Sequence, residues 1–256
     1  MLVEPAGPLN VGSVARLCAN FGIDELRLVA PRCDPAGDEA RRMAVHGRVL
    51  LERARHFPHL AAALADCRRV VATSGRVEQE ALPLTEVDDA LHWLLAGQQP
   101  ASAQPCWGAL VFGREDRGLS NDELLQAGRV LRLDTGAAYS SLNLSHAVAI
   151  CLHELHRLRR AETSPLQRRP VSLSSAGAAE SSGPAVDPCP RAALESTLAD
   201  AEALLLQVGF LYPHTAHARM SKVRALLQRA IVREPELALL RGMVRQLRWA
   251  AERRTP

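Results

Sequence analysis

Four short apolar runs, each bounded by chain breakers, constrain this sequence most: "LRLVAP" (26–31), "RVVATSG" (69–75), "ALVFG" (109–113) and "VLRLD" (130–134). Short continuous apolar runs of this kind suit strands that are covered on both faces. Helix-like stretches lie near 11–20, 40–54, 58–65, 86–96 and 120–127. Strand–helix alternation predicts an α/β fold, a parallel sheet with helices on both faces. "MLVE" reads as the tail of a further, very short strand. A chain of 256 residues has room for one such domain, alone or with a smaller appendage.

The pattern changes after a helix that begins near 143 and ends near 160. Residues 161–190, with "SPLQRRPVSLSSAGAAESSGPAVDPCP" at their heart, are Ser/Ala/Pro/Gly-rich and aperiodic, and read as a flexible linker. Helical periodicity then resumes in three stripes. Leu194, Leu198, Ala201, Leu205 and Val208 form the first, which Gly209 is placed to stop. Met220, Val223, Leu226, Leu227 and Ile231 form the second. Leu237, Leu240, Val244, Leu247 and Ala251 form the third, with Pro235 suited to its first turn. The expected division is therefore 1–160, a linker at 161–190, and a basic helical extension at 191–256.

Charge follows this division. Residues 1–154 carry a net −4, 155–170 carry +4, and 191–256 carry +5. A polyanion would be gripped chiefly by the C-terminal part, although a solvated basic face gives the same composition. Six cysteines without a CxxC pair favour reduced thiols and a cytoplasmic location over a disulfide frame or zinc site. No apolar run is long enough to cross a membrane, so no membrane partner is expected. "MLVEPAGPLN" lacks the basic and apolar regions of a secretory signal.

Three stretches place polar and glycine residues where open α/β sheets bind ligands, at strand C-terminal ends. In "NVGSVARLCANFG" (10–22), Asn10 is placed to cap a helix, Gly12 permits close approach, and Gly22 ends the helix. Arg16 stands among apparently buried neighbours, Val14, Ala15, Leu17 and Ala19, so it calls for a phosphate or a local carboxylate. In "LVFGREDRGLSNDEL" (110–124), a buried strand runs into four charges between Gly113 and Gly118. This suits either a surface turn or a ligand loop. Ser120 and Glu123 then form a capping-box pattern. In "SSLNLSHAV" (140–148), three short polar side chains, Ser140, Ser141 and Asn143, open an apolar helix that needs only one as a cap.

Other chemistries lack their signatures. There is no GxSxG elbow, no Walker pattern, and no GxGxxG after the first strand. "HELH" (153–156) lacks the HExxH spacing, His214 and His217 suit a surface, and no metal is expected.

Taken in order, the three stretches resemble the signature motifs of the SpoU/TrmH family of RNA 2′-O-methyltransferases, in the SPOUT superfamily. Asn10, Gly12, Arg16, Phe21 and Gly22 match the first motif. Phe112, Gly113, Glu115, Gly118, Leu119, Ser120, Glu123 and Leu124 match the second, and Ser141 through Val148 the third. "ATSGR" (72–76) resembles a weaker block between them. "LLLQVGFLYP" and "KVRALLQRAIVREPELALLRGMVRQL" resemble the C-terminal extension of the TrmJ-like branch, which implies methylation of tRNA at anticodon-loop nucleotide 32. An rRNA substrate or a non-catalytic RNA-binding relative are the alternatives.

The resemblance implies a trefoil knot and a homodimer, with Ala147, Ile150, Cys151 and Leu155 offering an apolar contact face. It implies S-adenosyl-L-methionine as cofactor, held by Thr73, Ser74, Gly75, Gly113, Leu133, Ser140, Ser141 and Leu142. Asn10, Arg16, Glu115, Ser141 and Asn143 would form the catalytic group. Methyl transfer from a sulfonium mainly requires the ribose hydroxyl to be positioned and to lose its proton. A guanidinium stays protonated, so Arg16 is better suited to an RNA phosphate and the developing alkoxide than to general-base work. Ser141 and Asn143 would orient the hydroxyl, and Glu115 would orient Arg16 or Asn143. Arg219, Lys222, Arg224, Arg229, Arg245 and Arg248 are the expected phosphate contacts in the basic extension.

Overall fold

Parallel pairing organises the first half of the chain. The computed structural model describes residues 1–75, 84–96, 107–136, 141–163 and 187–253. Strands β1 (Leu2–Val3), β2 (Arg27–Val29) and β3 (Arg55–Phe57) form one parallel sheet in that order. Strands β4 (Cys67–Thr73), β5 (Leu84–Thr85), β6 (Trp107–Val111) and β7 (Arg129–Leu131) form a second, ordered β5-β7-β4-β6. A parallel bridge between Leu2 and Phe112 joins the two. There Val3 N–H donates to the Phe112 carbonyl at 2.9 Å, and Phe112 N–H to the Met1 carbonyl at 3.0 Å.

Alternation along the strands builds two cores. Leu2, Leu28, Val71 and Leu131 face α1 (Pro8–Asn20), α5 (Val87–Leu95) and α7 (Leu144–Thr163). Val3, Val29, Val70, Ala72 and Val130 face α4 (Leu60–Ala63) and α6 (Asn121–Leu124). The expected α/β architecture, with helices on both faces of a parallel sheet, is what these residues build. Strands β3 and β5 escape sequence reading because "RHF" and "LT" carry almost no apolar signal. The single helix expected over 40–54 is instead α2 (Asp38–Ala44), a 3₁₀ turn at Val45–Gly47 and α3 (Arg48–Glu52). The break falls at Val45, where φ is 49°, a left-handed value that a β-branched residue rarely takes. Gly12 lets α2 approach α1: a Cβ there would lie 2.3 Å from the Ala40 carbonyl oxygen.

The C-terminal helices α8 (Arg191–Gln207), α9 (Pro213–Ala230) and α10 (Glu234–Glu252) share a small core of Leu194, Leu198, Leu211, Met220 and Leu237. Gly209 follows α8 at φ 75°, as a helix stop requires. The later parts of the expected stripes face outward: Val208, Val223, Leu226 and Leu247 are exposed. The unit docks on the body. Ala225 of α9 joins the second core, and the Gln228 side-chain amide donates to the Leu125 carbonyl at 3.2 Å. Most of the expected linker, 164–186, lies outside the described residues. Of its last four residues, Asp187 lies on Arg69 of the body at 3.2 Å and the Pro188 carbonyl on Arg68 at 3.0 Å, while Cys189 joins the core of the C-terminal helices.

Candidate active site

Beyond the C-terminal ends of β4, β6 and β7 lies a cavity of about 450 Å³. Thr73, Ser74 and Gly75 follow β4, the loop Phe112–Gly118 follows β6, and Leu133 follows β7. Ser141, Leu142, Leu144 and Ala147 close it from the start of α7. Hydrogen bonds across the sheet fix this rim: Thr73 Oγ1 donates to the Val111 carbonyl at 3.1 Å, and Ser74 N–H to the Leu131 carbonyl at 3.0 Å. Seven of the eight expected cofactor residues therefore line one cavity; Ser140 lies outside the described residues.

The loop after β6 is a folded turn. Arg114 and Gly118 exchange backbone hydrogen bonds at 3.3 and 2.9 Å, with Gly118 at φ 68°. A Cβ on Gly113 would lie 2.3 Å from the Gly118 carbonyl carbon, so only glycine permits the closure. Arg114 grips Glu123 in a bidentate pair at 2.8 and 2.9 Å and also pairs with Glu4. Its hydrogen bonds to Glu4 and Glu123 raise the guanidinium pKa. Ser120 and Glu123 complete the expected capping box, with bonds of 3.3 and 2.7 Å.

Glu115 crosses from this loop to the start of α1. It accepts hydrogen bonds from the backbone of Ala6 and Gly7 and from Asn10 Nδ2, each at 3.1 Å. Burial opposes its ionisation. The bonds from Ala6, Asn10 and Gly7 outweigh that cost and hold its carboxyl below the ordinary value. Two expectations change here. Asn10 does not cap α1; Gly7 occupies the cap, and Asn10 sits inside the first turn as a partner of Glu115. The hydrogen-bonding partners of Glu115 are those three groups rather than Arg16 or Asn143.

Arg16 is exposed, not buried, and so is Ala19. The inward arc of α1 consists of Val11, Gly12, Val14, Ala15 and Cys18, and Arg16 projects beyond it. It makes no hydrogen bond or ion pair among the described residues, and it is not part of the cavity wall. Asn143 caps α7: its Oδ1 accepts from Ser145 N–H at 2.9 Å and Ser145 Oγ at 2.7 Å. That leaves its amide nitrogen for other work. Asp116 and Arg117 also line the cavity and were not singled out by sequence. Their signal was the four-charge run between the two glycines.

Away from the cavity, Arg219, Lys222, Arg229 and Arg245 are exposed. Arg224 is committed to Glu195 at 2.9 Å and Arg248 lies 3.8 Å from an Asp200 carboxylate oxygen, so neither is a free cation; among the described residues Arg219 donates only to the Phe210 carbonyl, at 3.0 Å. On α7, Ile150 is 42% exposed, but Cys151 and Leu155 are buried in the body's own core and offer no contact face. Among the described residues no cluster of metal-ligating side chains occurs, and no helix is long and apolar enough to cross a membrane.

Comparison with known proteins agrees with this geometry. Residues 1–153 match the SpoU rRNA Methylase family, and residues 192–256 match the tRNA methyltransferase TrmJ, C-terminal domain. The tRNA (cytidine/uridine-2′-O-)-methyltransferase TrmJ of Cronobacter sakazakii is 33% identical over 244 residues, 95% of this chain and 93% of that protein. A tRNA (cytidine/uridine/adenosine-2′-O-)-methyltransferase TrmJ of Pseudomonas aeruginosa is 30% identical, over 95% of this chain and 91% of its own. The crystal structure of TrmJ from Z. mobilis superposes with a TM-score of 0.76 at 28% identity, covering 96% of each chain. With a family match over more than half its length and TrmJ relatives along nearly all of it, the chain belongs to the SpoU methylase family and is TrmJ-like.

Proposed function

We propose that this protein transfers a methyl group from S-adenosyl-L-methionine to a ribose 2′-hydroxyl of tRNA, at anticodon-loop nucleotide 32. The observation that carries the reading is the cavity of about 450 Å³ that the second and third motif stretches line together, with Asn10 of the first bonded to Glu115 on its wall. Its size lies within the ~300–1,000 Å³ of small-molecule sites. Its walls combine apolar Leu133, Leu142 and Ala147 with hydroxyls and backbone groups from Thr73, Ser74, Gly75, Gly113 and Ser141, a lining that suits a nucleoside bearing a charged amino-acid arm. Similarity to tRNA ribose methyltransferases over 95% of the chain supports the substrate class.

When bound, the cofactor supplies an activated methyl group on a sulfonium. The chain's own residues would position the acceptor. Ser141 orients the ribose hydroxyl, and the free amide of Asn143 steadies the adjoining sugar. Glu115, with Asn10, fixes the start of α1 against the cavity rim. Arg16 holds the substrate phosphate and stabilises charge developing on the hydroxyl oxygen, and the proton leaves to water or phosphate. Its exposure, clear of its own cavity wall, suits a role across a homodimer interface that includes Ile150.

Within this reading, residues 1–160 form the methyltransferase domain, with the segment before α7 threaded as a trefoil knot. Residues 161–190 link it to the RNA-binding helices at 191–256, where Arg219, Lys222, Arg229 and Arg245 contact phosphates. The protein works in the cytoplasm, where its tRNA substrate is found. The test is a methylation assay on unmodified tRNA with labelled cofactor, followed by mapping of ribose methylation. Methylation at nucleotide 32 is expected. Cofactor binding by calorimetry without methylation of any tRNA would refute the activity, and methylation of rRNA alone would refute the substrate.

A further inference from the structure

The joint between the body and the C-terminal helices is built from arginines. Arg68 pairs with Glu234 at 2.7 Å and Arg69 with Asp187 at 3.2 Å, while beside them Arg224 ties α9 to α8 through Glu195 at 2.9 Å. Arg191 is the fourth. The acid one helical turn along from it, Glu195, is already held by both Nε and Nη2 of Arg224. Arg191 is 6% exposed, and its Nε has no hydrogen-bond partner among the described residues.

Its place in the fold worsens the problem. Arg191 is the first residue of α8, a helix of 17 residues whose cap, Pro190, supplies no side-chain acceptor. Helix N-termini carry positive potential and favour anions, so a buried cation there is doubly unfavourable. Burial lowers the guanidinium to about 10, which leaves it charged at neutral pH.

A cavity of about 20 Å³ adjoins it, walled by Arg68, Trp93, Gly128, Cys189, Arg191 and Gln228 among others. One water needs ~10–15 Å³, so the space admits one water or one chloride-sized ion. The surrounding donors suit such an ion. One hydrogen of the Gln228 amide is used on the Leu125 carbonyl, and the other is available. The Cys189 thiol is kept protonated by burial and can donate. A water would satisfy the hydrogen bonds but leave Arg191 only the charge of Glu195, which Arg224 already shares.

We infer that this cavity is a halide site: a single chloride bound against Arg191 at the joint, fastening the C-terminal helices to the body. Two measurements on the full chain test it. In crystals grown with bromide in place of chloride, an anomalous bromide peak is expected beside the Arg191 guanidinium. In solution, unfolding in chloride is expected on the order of 2–4 °C higher than in gluconate at equal ionic strength, with R191M abolishing the difference. Water alone in the cavity would overturn the assignment, as would Glu195 swung onto Arg191. So would equal melting of the unmutated protein in both salts, even with bromide present at crystal concentration. The bromide and salt comparisons use the natural sequence, so they decide the matter even if R191M fails to fold.

Discussion

The cavity rim and the C-terminal helices hold their charges in opposite ways. At the rim, Glu115 is fixed by groups more than 100 residues earlier in the chain, and Arg114 by Glu4 and Glu123. On the helices, Lys222, Arg229 and Arg245 are exposed and unpaired among the described residues. Pre-set, mutually bonded groups suit one small ligand of fixed shape; dispersed cations suit a long polyanion whose contacts need not be unique. Arg16 belongs to the body by position but resembles the tail in its freedom, which makes it the residue where the contrast is most easily broken.

Arg16→Ala is therefore expected to have the largest effect, a fall in turnover of about 10²–10³-fold, with cofactor affinity by calorimetry nearly unchanged. An unchanged rate would remove Arg16 from the machinery. Next comes reversal of two tail charges, Lys222→Glu with Arg229→Glu. This should weaken tRNA binding at least ~10-fold and lower its salt slope by about 2, with cofactor binding intact. Unchanged tRNA binding would make the tail a brace only. Charge reversal is a cleaner test than deleting the tail, because deletion would strip Ala225 from the second core and Gln228 from Leu125.

Stability measurements sharpen the other side of the contrast. Gly12→Ala drives a Cβ to 2.3 Å from the Ala40 carbonyl oxygen, so chemical denaturation should show a loss of about 1–3 kcal/mol or more. Glu115→Gln should cost about 1–2 kcal/mol at neutral pH. Because the folded-state carboxyl lies below its ordinary value of 4.5, its contribution is present above that pH and lost as pH falls through the depressed range. The gap between natural protein and variant should thus close on acidification; a constant gap would show that the carboxylate's charge is irrelevant. Ser120→Ala should have the smallest effect, about 1 kcal/mol for one lost cap.

Sequence reading recovered what depends on spacing along the chain. The strand runs, the capping box at Ser120 and Glu123, the stop at Gly209 and the meeting of the second and third motifs at one cavity were all legible. Direction was harder. Arg16 looked buried because its sequence neighbours are apolar, yet a helix turns each residue by about 100° and Arg16 falls outside the inward arc. Conversely, Arg27 lies inside "LRLVAP" and is 4% exposed, held by Glu25 at 2.7 Å and Asp66 at 2.8 Å. Glu25 is a near neighbour, but nothing local announces Asp66, which is 39 residues away. Asn10 shows the same limit: a short polar side chain beside a helix start was identifiable, but its meeting with Glu115 was set by the assembled sheet, whereas Asn143 meets Ser145 only two residues on.

The bridge between Leu2 and Phe112 also imposes a timetable on synthesis. Strand β1 leaves the ribosome early and finds β2 and β3 close behind it, but its other edge must wait for a partner about 110 residues further along. At ~5–20 residues per second, that wait is on the order of 5–20 s. For that interval a three-stranded sheet stands with an open edge, the feature on which foreign strands most readily add. Rare codons between β3 and β6 would lengthen the exposure and favour aggregation of the nascent chain, and faster codons there would shorten it.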